Sequence, residues 1–387
     1  MNSKREFSIW DVILVLTGLT PVYISDSLSI NYIFILIPFL SINIHLKVSK
    51  KFIIYFSCFL LIYIFSFSYV TIFQIEKLDR SFLSFMLFLT PFCWGAFKMK
   101  KNFYNSLLIG LLIYSLSINL WQIFTVIKYV STQNLTDFYS LKDVVGSNRI
   151  SFIFIVTFFM ARILVNGGSL VLIRIIISLG ILFTFSRAAL ITFLITVLFD
   201  LFLRHRLFKL RTLVLLSVIP PILVSLLYFL IPGGEEIIFF FKDRIIERFT
   251  GNDYSITSNI TSEGKRLETW AKMFEFLTDN LLIITGSGFL GPWILSNIQV
   301  ASSHNQFIDV LFRSGILGVL LVYIPLIFFL VSKRYIIEYR ILLFVLIFYG
   351  LFHESFKETQ GAFLLAIIVS LMFNPMSKTN YEREENL

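Results

Sequence analysis

Long apolar runs separated by short polar turns recur along most of the chain. Most of these runs approach or exceed the roughly 20 residues that an α-helix needs to cross the hydrocarbon core of a bilayer. Twelve candidate runs lie at residues 9–24, 30–46, 52–73, 81–97, 103–127, 150–166, 168–185, 187–203, 211–231, 306–331, 337–353 and 360–373. The boundaries between residues 150 and 203 are the least distinct, because few polar residues separate the runs there.

This pattern predicts an all-α, polytopic membrane protein, a helical bundle of about 12 transmembrane helices. The composition agrees, since 57% of the residues are hydrophobic and 15% are charged, whereas about 25% are charged in a typical soluble domain. The strands of a membrane barrel would give shorter segments of alternating polarity. The net charge of +9 does not indicate a nucleic-acid partner, because the basic residues are spread over the turns.

The distribution of charge predicts the orientation. If the chain crosses the membrane at every run, the turns on one side carry more than half of the Lys and Arg residues, and such turns face the cytoplasm. Both termini are then cytoplasmic and the longest polar segment is periplasmic. The predicted organisation is 1–231 with transmembrane helices 1–9, 232–305 as a large periplasmic loop, 306–373 with transmembrane helices 10–12, and 374–387 as a cytoplasmic tail.

The large loop contains two short segments with the periodicity of amphipathic helices, Glu235–Phe249 and Arg266–Leu277. It also contains the sequence GSGFLG at 286–291, which matches G-x-G-x-x-G. No strand precedes these glycines and Pro292 follows them, so they predict a turn and not a dinucleotide site.

Arg187 lies between two apolar runs, where a charge needs a partner or access to water. In one interpretation its side chain reaches the lipid headgroups. In the other, its planar guanidinium binds a phosphate. Ser186 and Arg187 would lie at the start of the helix 188–203, whose first amides also favour an anion.

Two further outer-side arginines are candidates for binding an anionic substrate. Arg266 opens an amphipathic segment, and it could equally form an ion pair with Glu263 or Glu268 on a solvated surface. Arg149 lies at the outer end of the run 150–166, and the sequence supports it less strongly as an anion-binding residue.

His304 is one of four histidines and lies two residues before the run 306–331. A positioned imidazole can accept a proton from a hydroxyl near neutral pH, but a histidine at such a boundary can also be a solvated cap. Glu354 could orient a substrate or be an ordinary loop charge. The sequence has no zinc-type His/Cys spacing and no Asp-rich motif, so neither a metal nor another cofactor is expected.

Four motifs in this order resemble the O-antigen polymerase and ligase superfamily (Wzy and WaaL types). They are SRAAL at 186–190, Arg266 followed by Trp270, the glycines at 286–289, and SHNQFIDVLFRSGILGVLL at 303–321. The resemblance extends over residues 140–373, and the earlier helices agree with the superfamily only in hydropathy and number.

The resemblance implies glycosyl transfer on the outer face of a bacterial inner membrane, with an undecaprenyl-pyrophosphate-linked oligosaccharide as donor and no nucleotide sugar. It implies that Arg187 and Arg266 hold the pyrophosphate and that His304 activates the acceptor hydroxyl. Asn305 would orient the imidazole or the acceptor, while Arg149, Ser186 and Glu354 are expected to contribute to substrate binding. Besides membrane lipids, a chain-length regulator and a flippase are partners by resemblance alone.

Three functions are compatible with these residues. We favour a repeat-unit polymerase for O-antigen or capsule, working by inversion. A ligase that transfers polysaccharide to lipid A–core is the alternative. A polysaccharide transporter without catalysis is less favoured, because the polar candidates gather at one surface and not at the midplane of inverted repeats.

Overall fold

The computed structural model describes residues 6–20, 30–73, 88–132, 147–184, 186–204, 262–288, 303–356 and 359–375. These residues are predominantly α-helical, as predicted. The helices are α1 Ile9–Leu19, α2 Ile37–Leu40, α3 Lys50–Phe73, α4 Lys101–Thr132, α5 Ser147–Leu164, α6 Gly167–Phe183, α7 Arg187–Leu203, α8 Ser262–Asp279, α9 Gln306–Val331, α10 Ile337–Tyr349 and α11 Thr359–Phe373. Two short strands, β1 Ile44–Leu46 and β2 Phe97–Met99, pair antiparallel.

Most predicted runs in the described part of the chain are helices with similar bounds. Within it, Lys101–Phe124 and Gln306–Val331 are long and apolar enough to cross a membrane, and five shorter apolar helices accompany them. The predicted run 211–231 and the predicted amphipathic helix Glu235–Phe249 lie outside the described residues. The structure supports an all-α membrane protein.

The predicted helix over 30–46 is wrong. Residues 30–35 form a 3-10 helix, α2 follows with Pro38 in its first turn, and β1 ends the run. Polar residues explain the interruption, because Asn43 is buried and its Nδ2 donates to the buried Asp11 Oδ2 at 2.6 Å. A continuous helix would not allow β1 to pair with β2, where His45 lies opposite Lys98.

The described residues divide into two compact units, with the boundary after Tyr114. In the first unit, which comprises residues 6–114 and 262–375, α11 is buried along nearly its whole length, from Gln360 to Leu371. A helix that is apolar on every face is expected to be enclosed by protein. Its C-terminal end is held by Ser370 Oγ and Asn374 Nδ2, which donate to the carbonyl of Phe97 at 2.7 and 3.1 Å.

The second unit, which spans residues 115–204 of the described chain, contains α5, α6 and α7. A buried hydrogen bond of 2.7 Å joins the hydroxyls of Ser115 and Thr157. The Arg174 guanidinium lies 4.9 Å from the ring centroid of Phe158, and its Nε donates to the Phe158 carbonyl at 3.2 Å. Aromatic and backbone contacts thus hold a cation that would be costly in an apolar helix.

Helix α9 in the first unit is broken at Gly315, whose φ is 63° and ψ is −167°. The loop 283–288 replaces the missing helical hydrogen bonds. Ser287 N and Gly288 N donate to the carbonyls of Phe312 and Arg313 at 2.7 and 2.8 Å, and the amides of residues 316 and 317 donate to the carbonyls of residues 283 and 284. Since broken backbone in a membrane protein needs internal partners, this loop makes the interruption tolerable.

We expect Gly315→Ala to destabilise the protein strongly. An alanine Cβ would lie 2.1 Å from the Ile284 carbonyl oxygen, and the backbone conformation alone costs a non-glycine residue about 1–3 kcal/mol. Thermal unfolding in detergent should give a clearly lower Tm than the parent. Gly168→Ala is the control, because its Cβ would meet nothing within 4 Å. Equal Tm values for the two variants would contradict the account of the break.

Candidate functional site

The sequence Ser-His-Asn-Gln at 303–306 forms the start of α9. Asn305 is the N-cap residue, and its side-chain oxygen accepts a hydrogen bond of 3.1 Å from Ile308 N. Asparagine favours this position because its short side chain satisfies an amide that has no helical partner. Asn305 is therefore partly explained by helix capping, independently of any contact with substrate.

The loop after α10, residues 350–356, is hydrogen-bonded to this motif. Gln306 N donates to the Gly350 carbonyl at 2.6 Å, and Asn305 Nδ2 donates to the Leu351 carbonyl at 3.0 Å. Phe356 N donates to Gln306 Oε1 at 2.7 Å. Both side chains of the Asn-Gln pair are thus used to attach this loop.

Glu354 attaches the same loop to Ser303. Its Oε1 accepts hydrogen bonds from Ser303 N at 2.6 Å and from Ser303 Oγ at 2.7 Å. Such bonds to an ionised acceptor are stronger than neutral ones. The predicted substrate-binding residue therefore positions the residue that precedes His304.

Helix α8 reaches the motif through Trp270, whose Nε1 donates to the Ser303 carbonyl at 2.7 Å. The other contacts of this helix are apolar, since Met273, Leu277, Leu282 and Phe312 form a buried cluster that includes α9. Arg266 lies one helical turn before Trp270 and therefore on the same side of α8. Glu268, which was a predicted partner of Arg266, forms an exposed ion pair of 2.6 Å with Lys272.

His304 has a left-handed backbone conformation, with φ at 51°, and its side chain is half-buried. This conformation is uncommon for a residue with a Cβ and persists where its surroundings hold it. The hydrogen bonds of Ser303, Asn305 and Gln306 provide that support on both sides. The imidazole is thus carried by a fixed backbone between α8 and the loop 350–356.

His353 is a second histidine at this site and was not predicted as a site residue. It is buried, and its ring stacks on Tyr349 with centroids 5.1 Å apart. Burial, followed by the positive charges of Arg266 and His304, lowers the pKa of His353 to about 4. These charges act on His353 because Arg266 and His304 each lie near it. Its sequence signal was weak: a histidine at the end of an apolar run, beside Glu354.

Helix α9 also contains a buried ion pair, between Asp309 and Arg313. Arg313 Nε donates to the two Asp309 oxygens at 3.0 and 3.1 Å, and both side chains are almost inaccessible. The spacing of four residues puts them on one face of α9, just before the break at Gly315. Because the two charges compensate each other, burying the pair costs less free energy than burying either ion alone.

The remaining predicted residues belong to the second unit. Ser186 is the N-cap of α7, and its Oγ accepts from Ala189 N at 3.3 Å. Arg187 is the first residue of α7, so the predicted helix start is confirmed. Arg149 lies in the first turn of α5. The side chains of Arg187 and Arg149 lie outside the described residues.

The geometry brings Arg266, His304, Asn305 and Glu354 together in the first unit, and adds His353. This cluster offers a guanidinium, two imidazoles and a carboxylate at the head of an apolar helix. Such groups can bind an anion and accept a proton from a hydroxyl. Among the described residues, no group of three or more His, Cys, Asp or Glu side chains is placed to hold a metal ion.

These features define a multi-helix membrane protein with a polar site at the end of one span. Residues 172–324, which include α8, the 283–288 loop and much of α9, match a protein-family model described as O-antigen ligase. The match supports the superfamily indicated by the motifs and, in general, a function of the O-antigen polymerase or ligase type. The match does not separate polymerases from ligases. A search of curated proteins finds no match.

The low pKa of His353 predicts a pH-dependent stability. An unfolded histidine titrates near 6.5 and the folded one near 4, so between these values only the unfolded state binds the proton. Stability is therefore lost as the pH falls from 6.5 to 4, by on the order of 3 kcal/mol. His353→Gln lacks this proton, so its Tm in detergent should fall less steeply over that window. Parallel Tm curves for the parent and His353→Gln would show that His353 does not titrate in this way.

Proposed function

We propose that this protein is a repeat-unit polymerase for O-antigen or capsule. It transfers glycan from undecaprenyl pyrophosphate to a lipid-linked repeat unit on the periplasmic face of the bacterial inner membrane, with both termini in the cytoplasm. The observation that carries this proposal is the fixed His304 at the head of α9, which shares with Arg266 the neighbouring His353. The family match over residues 172–324 supports the class of reaction.

The proposed reaction is a single displacement at the anomeric carbon of the donor sugar. The acceptor hydroxyl oxygen forms the new glycosidic bond, while the bond to the pyrophosphate oxygen breaks and its electron pair leaves with undecaprenyl pyrophosphate. His304 takes the proton of the acceptor hydroxyl. Attack from the side opposite the leaving group inverts the anomeric configuration. A general base of this kind contributes about 10²–10⁴-fold in rate.

The leaving pyrophosphate gains negative charge as the bond breaks, and fixed donors stabilise it most when they are already in place. In this proposal Arg266 supplies one guanidinium. By its resemblance to the superfamily, Arg187 is assigned the same role; it is the first residue of α7 in the second unit, where the amides of the first turn also favour an anion. Ser186 and Arg149 are assigned to substrate binding by the same resemblance, whereas Asn305 and Glu354 act mainly by holding His304. The step uses no metal.

A ligase is the second candidate, because the matching family model carries that description. The donor and the bond that breaks would be the same, and the acceptor would be lipid A–core. His304, Arg266 and Arg187 would keep their roles. The two candidates thus differ in the acceptor, not in the chemistry of the site.

We expect His304→Ala to abolish chain elongation in cells at expression equal to the parent. Removal of the base slows proton transfer, while the hydrogen bonds from Ser303 N to Glu354 and from Ile308 N to the Asn305 side chain remain. The polysaccharide ladder on a gel measures the effect. His45→Ala is the matched control, because His45 is exposed on β1. A normal ladder from His304→Ala would refute its assignment as the base.

Deletion of the gene separates the two candidates. Loss of a polymerase should leave lipid A–core with a single repeat unit, because ligation continues while elongation stops. Loss of a ligase should leave bare core, while polymer accumulates on undecaprenyl pyrophosphate. Gel profiles and lipid extracts from the deletion strain measure both products. An unchanged surface polysaccharide and an unchanged lipid-linked pool would contradict both functions.

A further inference from the structure

Helix α8 has an exposed apolar stripe that the protein core does not cover. Leu267, Ala271 and Phe274 are exposed and follow one another at spacings of four and three residues, so they lie on one face. Leu267 is 61% exposed and Phe274 is 39% exposed. The face that packs on α9 is a different one and carries Met273 and Leu277.

A third face of α8 is charged. Glu268, Lys272, Glu275 and Asp279 recur at spacings of four, three and four residues, and the first two form an exposed ion pair. The helix therefore has a core face, an apolar exposed face and a charged exposed face. An exposed apolar stripe beside a charged one is typical of a helix that lies along a membrane surface.

The turn after α8 continues the apolar surface. Leu281 is 87% exposed with φ at 56°, and Ile284 is 56% exposed. Solvated turns seldom present such side chains, and an exposed leucine in a left-handed conformation has no packing in the core to explain it. The neighbouring Ile283 is also exposed.

This turn adjoins the lipid-facing side of α9. The carbonyls of Ile283 and Ile284 accept hydrogen bonds from the amides of residues 316 and 317 at 3.0 and 3.2 Å. From there, exposed apolar side chains continue along α9 at Ile316, Leu317, Leu320, Ile324 and Ile327. Because α9 is long and apolar enough to span the membrane, we expect its exposed apolar side to face the lipid.

We propose that α8 lies at the lipid–water interface on the outer face of the inner membrane and that the turn 281–284 inserts into the bilayer. Lipid covers the exposed stripe in this proposal, because the stripe is continuous with the lipid-facing surface of α9. The charged face has three acidic residues and one basic residue among Glu268, Lys272, Glu275 and Asp279, so it is not attracted to anionic headgroups. Burial of apolar area therefore drives the contact, at a depth of about 5–10 Å.

This anchoring fixes the height of Arg266 and Trp270 above the membrane, since both lie on the same helix, on a different face from the exposed stripe. If the proposed function is correct, Arg266 is thereby held where a lipid-linked pyrophosphate meets the membrane surface. The anchoring itself does not depend on glycosyl transfer. It can be tested by spectroscopy without any substrate.

The experiment places a single cysteine on each face, in a background with Cys58→Ala and Cys93→Ala. Phe274→Cys and Leu281→Cys test the apolar stripe, and Glu275→Cys is the matched control on the charged face. Each variant is labelled with an environment-sensitive fluorophore and reconstituted into phosphatidylcholine vesicles. Quenching is measured with doxyl-labelled lipid and with aqueous iodide. Leu267→Cys replaces either stripe position if that variant does not elute like the parent in detergent.

We expect blue-shifted emission and several-fold stronger quenching by doxyl lipid at positions 274 and 281 than at 275. Iodide should show the opposite order. Equal iodide quenching at all three positions would overturn the proposal, because the stripe would then be in water. Shielding of 274 and 281 from both quenchers would also overturn it, since a protein surface would then cover the stripe. Because no activity is measured, either failure is distinct from a failure of the proposed function.

Discussion

The hydrogen bonds that connect residues 303–306 with the loop 350–356 are the constraint on which the site depends. Glu354 binds Ser303, Asn305 binds the Leu351 carbonyl, and Gln306 binds both ends of the loop. Trp270 adds α8 to the same point. Three segments therefore meet at one helix terminus. Together they hold His304 in a left-handed backbone conformation that it would not keep without them.

The break at Gly315 is a second point at which α9 is attached to α8 and the loop that follows it. Backbone at membrane depth needs partners because lipid offers none, and the loop 283–288 supplies them. The same hydrogen bonds attach the end of α8 to α9 next to the buried Asp309–Arg313 pair. The interruption of α9 thus gives α8 its point of attachment beside the buried ion pair.

Sequence reasoning predicted the helices well, because the bilayer allows few alternatives to long apolar helices. It failed at residues 30–46, where hydropathy does not show that Asn43 would bind Asp11, 32 residues away. It also identified His304, Asn305, Arg266 and Glu354 as candidates. Their coupling was not predictable, since the bonds from Ser303 to Glu354 join residues 51 positions apart. The periodicity of Arg266–Leu277 gave a helix but did not separate its core stripe from its exposed stripe.

Under the proposed function, the three faces of α8 would allow one helix to serve a substrate that is half lipid. A pyrophosphate linked to a polyprenyl chain has its charge at the membrane surface and its tail in the bilayer. A guanidinium that binds it must therefore keep a constant height relative to the lipid, because a displacement of one helical turn, about 5.4 Å, would break the hydrogen bonds. Packing on α9 alone sets the position of Arg266 relative to His304. An apolar stripe in contact with lipid would also set its position relative to the substrate, and both faces belong to the same 18-residue helix.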